Sequence, residues 1–67
     1  MAAVPTPKAI RKQRKALGIT QIKMSEALGI SPYPYRLWES HGIALPRGLQ
    51  ATDVAAVLDR LAKNGAP

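Results

Sequence analysis

The sequence predicts an all-α domain of four to five short helices, and three observations predict it. Apolar residues recur three and four apart, the spacing of one helical face. Cap residues punctuate the chain: Thr6, Thr20, Ser31 and Thr52 each stand before a candidate helix, and Gly18 and Gly29 each stand after one. No stretch alternates apolar and polar residues as a half-buried strand would. The 67 residues make one small domain. A domain of about 60 residues buries only roughly 60% of the surface its unfolded chain exposes. There is no cysteine, which excludes disulfides and Cys-based zinc sites, so a second copy of the chain is the remaining source of extra stability.

Residues 1–7 carry two prolines and no charged side chain, and are expected as a loose arm. Thr6 before Pro7 has the form of an N-cap with proline at the first helical position. A helix is expected from there through KAIRKQRKAL to Gly18, with Ile10 and Leu17 seven apart and Gln13 and Arg14 between them on the same face. Thr20 heads a second helix, QIKMSEAL, whose apolar side reads as Ile22, Met24, Ala27 and Leu28. Ser31 heads a third, from Pro32 to about Ser40. Pro32 and Pro34 then fall at its first and third positions, where the N–H has no helical partner in any case. Tyr35 and Trp38 stand i, i+3 on its inner face.

SHGIALPRG is expected as a loop. The last helix, at about residues 52–63, is capped by Thr52 with Asp53 in its first turn, and Asn64-Gly65 closes it. The folded domain is thus expected over residues 8–63, with 64–67 as a tail.

The net charge is +6 and it is unevenly spread. Residues 1–47 hold eight basic and two acidic side chains, whereas in 48–67 Arg60 and Lys63 balance Asp53 and Asp59. A basic part beside a neutral part suggests one side for a polyanion and another for something else. No apolar run approaches the ~20 residues of a membrane span. MAAVPTP lacks the apolar core of a secretory signal. KAIRKQRKAL is basic, but its apolar members are mostly alanines, so its membrane affinity is low. A cytoplasmic protein is the expectation. No enzyme is expected, because there is no Ser-His-acid set and no carboxylate pair with an evident pocket. Nor is any cofactor, metal or small-molecule ligand: His41 has no ligand-type neighbours at metal spacing.

Two short helices separated by GIS form a helix-turn-helix. In DNA-binding versions the second helix enters the major groove, although purely structural bundles contain similar pairs. The residues narrow the choice. IRKQRKALGITQIKMSEALGIS…YRLWESHG resembles the Cro/C1-type (Xre-like) family of phage and bacterial repressors, whose pattern runs close to R…LGLTQxxLAxxLGVSxxxIxxWExG. Arg14, Leu17, Gly18, Thr20, Gln21, Ala27, Leu28, Gly29, Ser31, Trp38 and Glu39 stand at matching positions. The likeness covers residues 10–42, and the last helix only loosely. It implies a lambda-repressor-like helix-turn-helix DNA-binding domain with its motif at about residues 20–40.

The resemblance also implies roles. Gln21 matches a glutamine that binds a phosphate and braces the reading helix; an exposed helix-start glutamine is the plainer alternative. Arg14 and Glu39 match a buried structural ion pair. Trp38 is expected in the core, as is Tyr35, which stands where the family has Ile or Val and whose hydroxyl then needs a partner.

Ser31, Pro32, Tyr33, Arg36 and Leu37 stand at the start and on the outward face of the reading helix. Pro32 and Leu37 offer apolar surface suited to thymine methyls, and Arg36 alone has the fork that matches guanine, a fork equally suited to holding a phosphate. Family repressors more often place Gln, Arg, Ser or Asn there, so base readout looks lean and DNA shape is expected to carry part of the specificity. Arg47 reads either as an arm into the minor groove or as a solvated loop arginine. Ser40, His41 and Gly42 replace the family's Asn-Gly turn, with backbone N–H groups able to meet a phosphate. Lys23, together with Lys8, Arg11, Lys12 and Lys15, supplies phosphate contacts or a solvated face. The last helix has more apolar positions than one stripe needs, and Val57, Leu58 and Leu61 are the candidates for a two-fold interface.

The function these readings predict is a dimeric, sequence-specific DNA-binding repressor on an inverted repeat. Small members of the family include phage Cro-like proteins, antitoxin-type autoregulators and anti-CRISPR-associated regulators, and the residues leave that choice open. The alternative is a protein–protein interaction module, such as an antitoxin or adaptor, with only non-specific DNA affinity. An RNA binder would need exposed stacking aromatics, for which only Tyr33 offers itself.

Overall fold

The computed structural model describes residues 5–64. These form α1 (Pro7–Ala16), α2 (Gln21–Leu28), α3 (Pro32–His41), a single 3₁₀ turn (Pro46–Gly48) and α4 (Ala51–Lys63). No strand occurs among the described residues, so the domain is all-helical. The first four residues of the expected arm, and the tail from Gly65 onward, lie outside the described residues. No helix among those described is long and apolar enough to cross a membrane.

The helix starts follow from the caps, with two corrections. Thr6 Oγ1 accepts from the Ala9 N–H at 3.1 Å, and Thr20 Oγ1 from the Lys23 N–H at 3.0 Å. Ser31 occupies the N-cap position of α3 but makes no capping hydrogen bond. A cap oxygen accepts from the N2 or N3 amide; Pro34 at N3 removes one of these two donors, and the Ser31 hydroxyl does not engage the other, the Tyr33 N–H at N2. The second correction concerns α4, which Thr52 does not cap. The helix begins one residue earlier than expected, because the Asp53 carboxylate turns back to accept the Gln50 N–H at 2.8 Å, which makes Gln50 the cap.

The helix ends also follow the sequence. Gly29 closes α2 in the left-handed region at φ 75°, a conformation that costs a residue with a Cβ about 1–2 kcal/mol. At the end of α3 the helix runs one residue past Ser40 to His41, with Gly42 in the left-handed region at φ 69°. Ser40 and His41 are therefore helical rather than part of a loop.

α1 and α2 each pack against both α3 and α4. The core between them is Ile10, Ile19, Met24, Tyr35, Trp38, Leu45, Val54 and Leu58. Tyr35 is wholly buried and its ring centroid lies 5.9 Å from that of Trp38, tilted by 37°. On α1 the buried side chains are Ile10 and Arg14, one turn apart, whereas Gln13 is exposed. On α2 they are Met24 and Ser25. Ile22 was expected on the apolar side of that helix and is instead 59% exposed. Two residues along a helix is a rotation of about 200°, so Ile22 and Met24 cannot share a face.

Candidate nucleic-acid interface

Position on α3 is set from its carboxyl end. Arg14 of α1 grips Glu39 with its fork: Nε donates to Oε2 at 3.0 Å and Nη2 to Oε1 at 2.8 Å. The third guanidinium nitrogen, Nη1, donates to the Ile19 carbonyl at 2.7 Å. Gln21 Nε2 adds a further bond to Glu39 Oε1 at 3.1 Å. The Glu39 side chain has no solvent exposure and that of Arg14 has 8%. One carboxylate thus ties α1, the first residue of α2 and the last turn of α3 together.

The charges of this group respond to one another. Burial alone would raise the Glu39 carboxyl, but hydrogen bonding from Arg14 and Gln21, with the Arg14 charge, outweighs it and holds the group below the usual carboxylate range. Arg14 is held above its ordinary value, first by its hydrogen bond to Glu39. The Tyr35 phenol is pushed up strongly, first by burial and then by the neighbouring Glu39 charge. Its hydroxyl lies against this ion pair but has no partner at full hydrogen-bonding geometry. The hydrogen-bond partner that the sequence called for is not found among the described residues.

The opposite face of α3 is open. Tyr33 is 61% exposed, and the Arg36 guanidinium carbon lies 5.6 Å from its ring centroid, within cation–π range. These two, with Gln21, Ile22 and Pro32, line an open groove of ≈ 330 Å³. Ile22 is the residue that the sequence reading missed here. Its displacement from the Met24–Ser25–Leu28 stripe was the available signal. Gln21 is half-buried. Its amide has two N–H donors, and one is committed to Glu39, so the other is left for a ligand. Leu37 is half-buried and does not line this groove.

A second depression, ≈ 220 Å³, lies between the α2–α3 turn and the 3₁₀ turn. Gly29, Ile30, Ser31, Pro34, Pro46 and Arg47 line it. The expected loop therefore contains a turn, and Arg47 sits in it at φ 61°, the only non-glycine with positive φ among the described residues. Its side chain folds back toward the helix pair: a Cβ built on Gly29 would lie 3.8 Å from Arg47 Nη1. The structure thus brings Arg47 beside Ser31, whose hydroxyl the missing cap leaves free. It does not bring Arg47 to the groove of Tyr33 and Arg36.

Other expected contacts are placed less favourably. Ser40 is exposed, but its hydroxyl donates to the Arg36 carbonyl, so its proton is committed. Lys23 is exposed, as are Lys8, Arg11, Lys12 and Lys15. The two prolines remove two of the first-turn N–H groups of α3, which weakens that helix end as an anion site.

The expected interface residues fare unevenly. Leu58 is 1% exposed; it belongs to the core and has no surface to give a partner. Val57 and Leu61 are half-buried and pack against that core. The large exposed apolar side chains among the described residues are Ile22, Tyr33 and Ile43, and none is on α4. No three or more His, Cys, Asp or Glu side chains among the described residues are placed to hold a metal ion.

Compared with protein-family models, with curated proteins and with solved structures, the chain matches none.

Proposed function

We propose that the chain is a sequence-specific double-stranded DNA-binding regulator of the Cro/C1 type, with α3 as its reading helix in the major groove. The observation that carries this is the way α3 is held. A buried Arg14–Glu39 pair, braced by Gln21, fixes the helix from inside while Tyr33 and Arg36 stand exposed on the outside. That division suits a helix that must present a few side chains in a fixed register. The charge supports the same reading, since the excess of basic residues lies in 1–47, which contains all of α1 to α3. Phosphate contacts from exposed Lys and Arg hold the register, and Arg36 reads a base.

Repression follows from occupancy of a promoter. Two copies bind an inverted repeat whose half-sites stand about 34–36 Å apart. Arg47 and Ser31, side by side, contact the backbone or the minor groove at the margin of the half-site.

The test is fluorescence anisotropy on duplex DNA from the region upstream of the chain's own gene, at two salt concentrations, with scrambled duplex as control. The expected result is a preference of ~10³ or more for the upstream DNA, with a salt slope of about −0.9 per phosphate contacted. Equal affinity for the two duplexes would overturn the proposal and turn attention to a protein partner, for which the exposed Ile22 and Tyr33 would then be the anchor.

A further inference from the structure

The groove beside α3 joins two kinds of surface that phosphate binding does not require. One is an apolar wall made of Ile22, Pro32 and the Tyr33 ring. The other is Arg36, which has no carboxylate partner among the described residues and rests against Tyr33. Stacking on the ring restricts the guanidinium before any ligand arrives and leaves the edge of its fork free. No acidic side chain lines the groove. An apolar protein side chain would satisfy the wall and leave the arginine unmatched, so a base edge, which offers both an apolar group and paired acceptors, is the better occupant.

The major-groove edge of DNA carries both features close together. Guanine presents O6 and N7, two acceptors that match an arginine fork, and thymine presents a C5 methyl that projects into the groove. 5-Methylcytosine presents the same methyl. Resting on the reading of α3 as a major-groove helix, we infer that this surface recognises a 5-methylpyrimidine next to a guanine. Arg36 takes the guanine and the Ile22–Pro32–Tyr33 wall takes the methyl. Tyr33 is a positioning residue for Arg36 as well as part of the wall. Ile22 is a specificity residue supplied by α2, the helix that otherwise only braces the motif.

The experiment selects duplexes from a randomised pool and titrates the enriched sequence in matched forms. At each selected thymine, uracil is substituted; at the same position, a C·G pair is tested with and without the 5-methyl group. Loss of one buried methyl is expected to weaken binding about fourfold, both for thymine against uracil and for 5-methylcytosine against cytosine. A methyl effect confined to thymine names thymine as the source and one confined to cytosine names the methylated base; either supports the inference. Ile22→Ala, at an exposed position, is expected to bring these ratios to about one while the preference over scrambled duplex persists. Tyr33→Phe keeps the ratios, and Tyr33→Ala reduces discrimination at the neighbouring guanine.

Sequence selection with no methyl effect at any position would overturn this inference and leave the proposed function standing. So would an undiminished methyl ratio in Ile22→Ala. Failure to enrich any sequence would overturn both.

Discussion

The two ends of α3 are held by opposite means. At the carboxyl end, Glu39 is fully buried and receives three hydrogen bonds from two other segments. At the amino end, Ser31 is exposed and makes no cap bond, and two prolines replace the amides that would otherwise be satisfied. The first end is held by enthalpy in a dry, polar network. The second is held by the ring-fixed backbone of Pro32 and Pro34, which lowers the entropy of the unfolded chain rather than adding contacts to the folded one. A helix anchored at one end and stiffened at the other keeps its register without needing groups at the end that faces a ligand.

The comparison can be broken most severely at Glu39. Glu39→Gln removes the charge that Arg14 needs, and leaving a buried partner unpaired costs about 3–5 kcal/mol, measured by urea unfolding. For a domain this small that is a large part of its stability, and the proposed DNA binding is expected to be lost with it. The pH dependence has a definite sign. Because the folded carboxyl is held below its ordinary range, its stabilisation is present above the unfolded value of about 4.3 and is lost as pH falls through the folded value. The wild-type chain is expected to unfold in that acid range, and the Gln variant to lose this part of the pH dependence.

Next in size is a change on the outer face that leaves the inner one intact. Arg36→Ala is expected to weaken binding to selected DNA by about 1–3 kcal/mol, the worth of one good bidentate base contact. Affinity for scrambled duplex, compared in the same anisotropy titration, changes much less. Thermal melting should change little, since Arg36 is exposed and its contact with the exposed Tyr33 ring is worth only about 0.5–1 kcal/mol at such a site.

Tyr35→Phe sharpens the account of the anchored end. Its buried hydroxyl has no hydrogen-bond partner among the described residues, and a buried hydroxyl without a hydrogen bond costs about 1–3 kcal/mol. Removing it is expected to raise stability by about 1 kcal/mol in a denaturant titration. A loss of similar size would show that the hydroxyl supports Glu39 after all.

The smallest effect separates the caps. Thr20→Ala should cost about 1 kcal/mol, as an N-cap in use does, because Thr20 accepts the Lys23 amide. Ser31→Ala should fall within about 0.5 kcal/mol, since no capping bond is there to lose. Equal costs at the two positions would mean that the amino end of α3 is held by its serine and not by its prolines.

Much of this was legible in the residues. Thr6–Pro7, Thr20 and Ser31–Pro32 marked the starts of three helices within a residue, and glycines marked the ends, because capping and left-handed backbone depend on the nearest few residues alone. The pairing of Arg14 with Glu39 came through the resemblance of residues 10–42 to a known pattern, and the burial of Tyr35 and Trp38 through their i, i+3 spacing as well. Three of the readings that failed did so for a local reason that was present but not combined. Pro34 disarms Ser31 as a cap, Asp53 starts α4 ahead of Thr52, and a 200° rotation separates Ile22 from Met24.

By itself the sequence determined the helical class, the order of the helices and most of their boundaries, and the uneven placement of positive charge along the chain. These follow from backbone sterics, missing amides and counting. Only the tertiary structure decided which side chains meet. It brought Arg14, Gln21 and Glu39 together across 25 residues of chain, spent Leu58 on the core, and turned Arg47 back toward Ser31 through a left-handed backbone. It also set Ile22 of one helix beside Tyr33 and Arg36 of the next. The physical reason is that close packing of four short helices fixes their relative rotation, and that rotation, unlike a cap or a turn, is not encoded in any single segment.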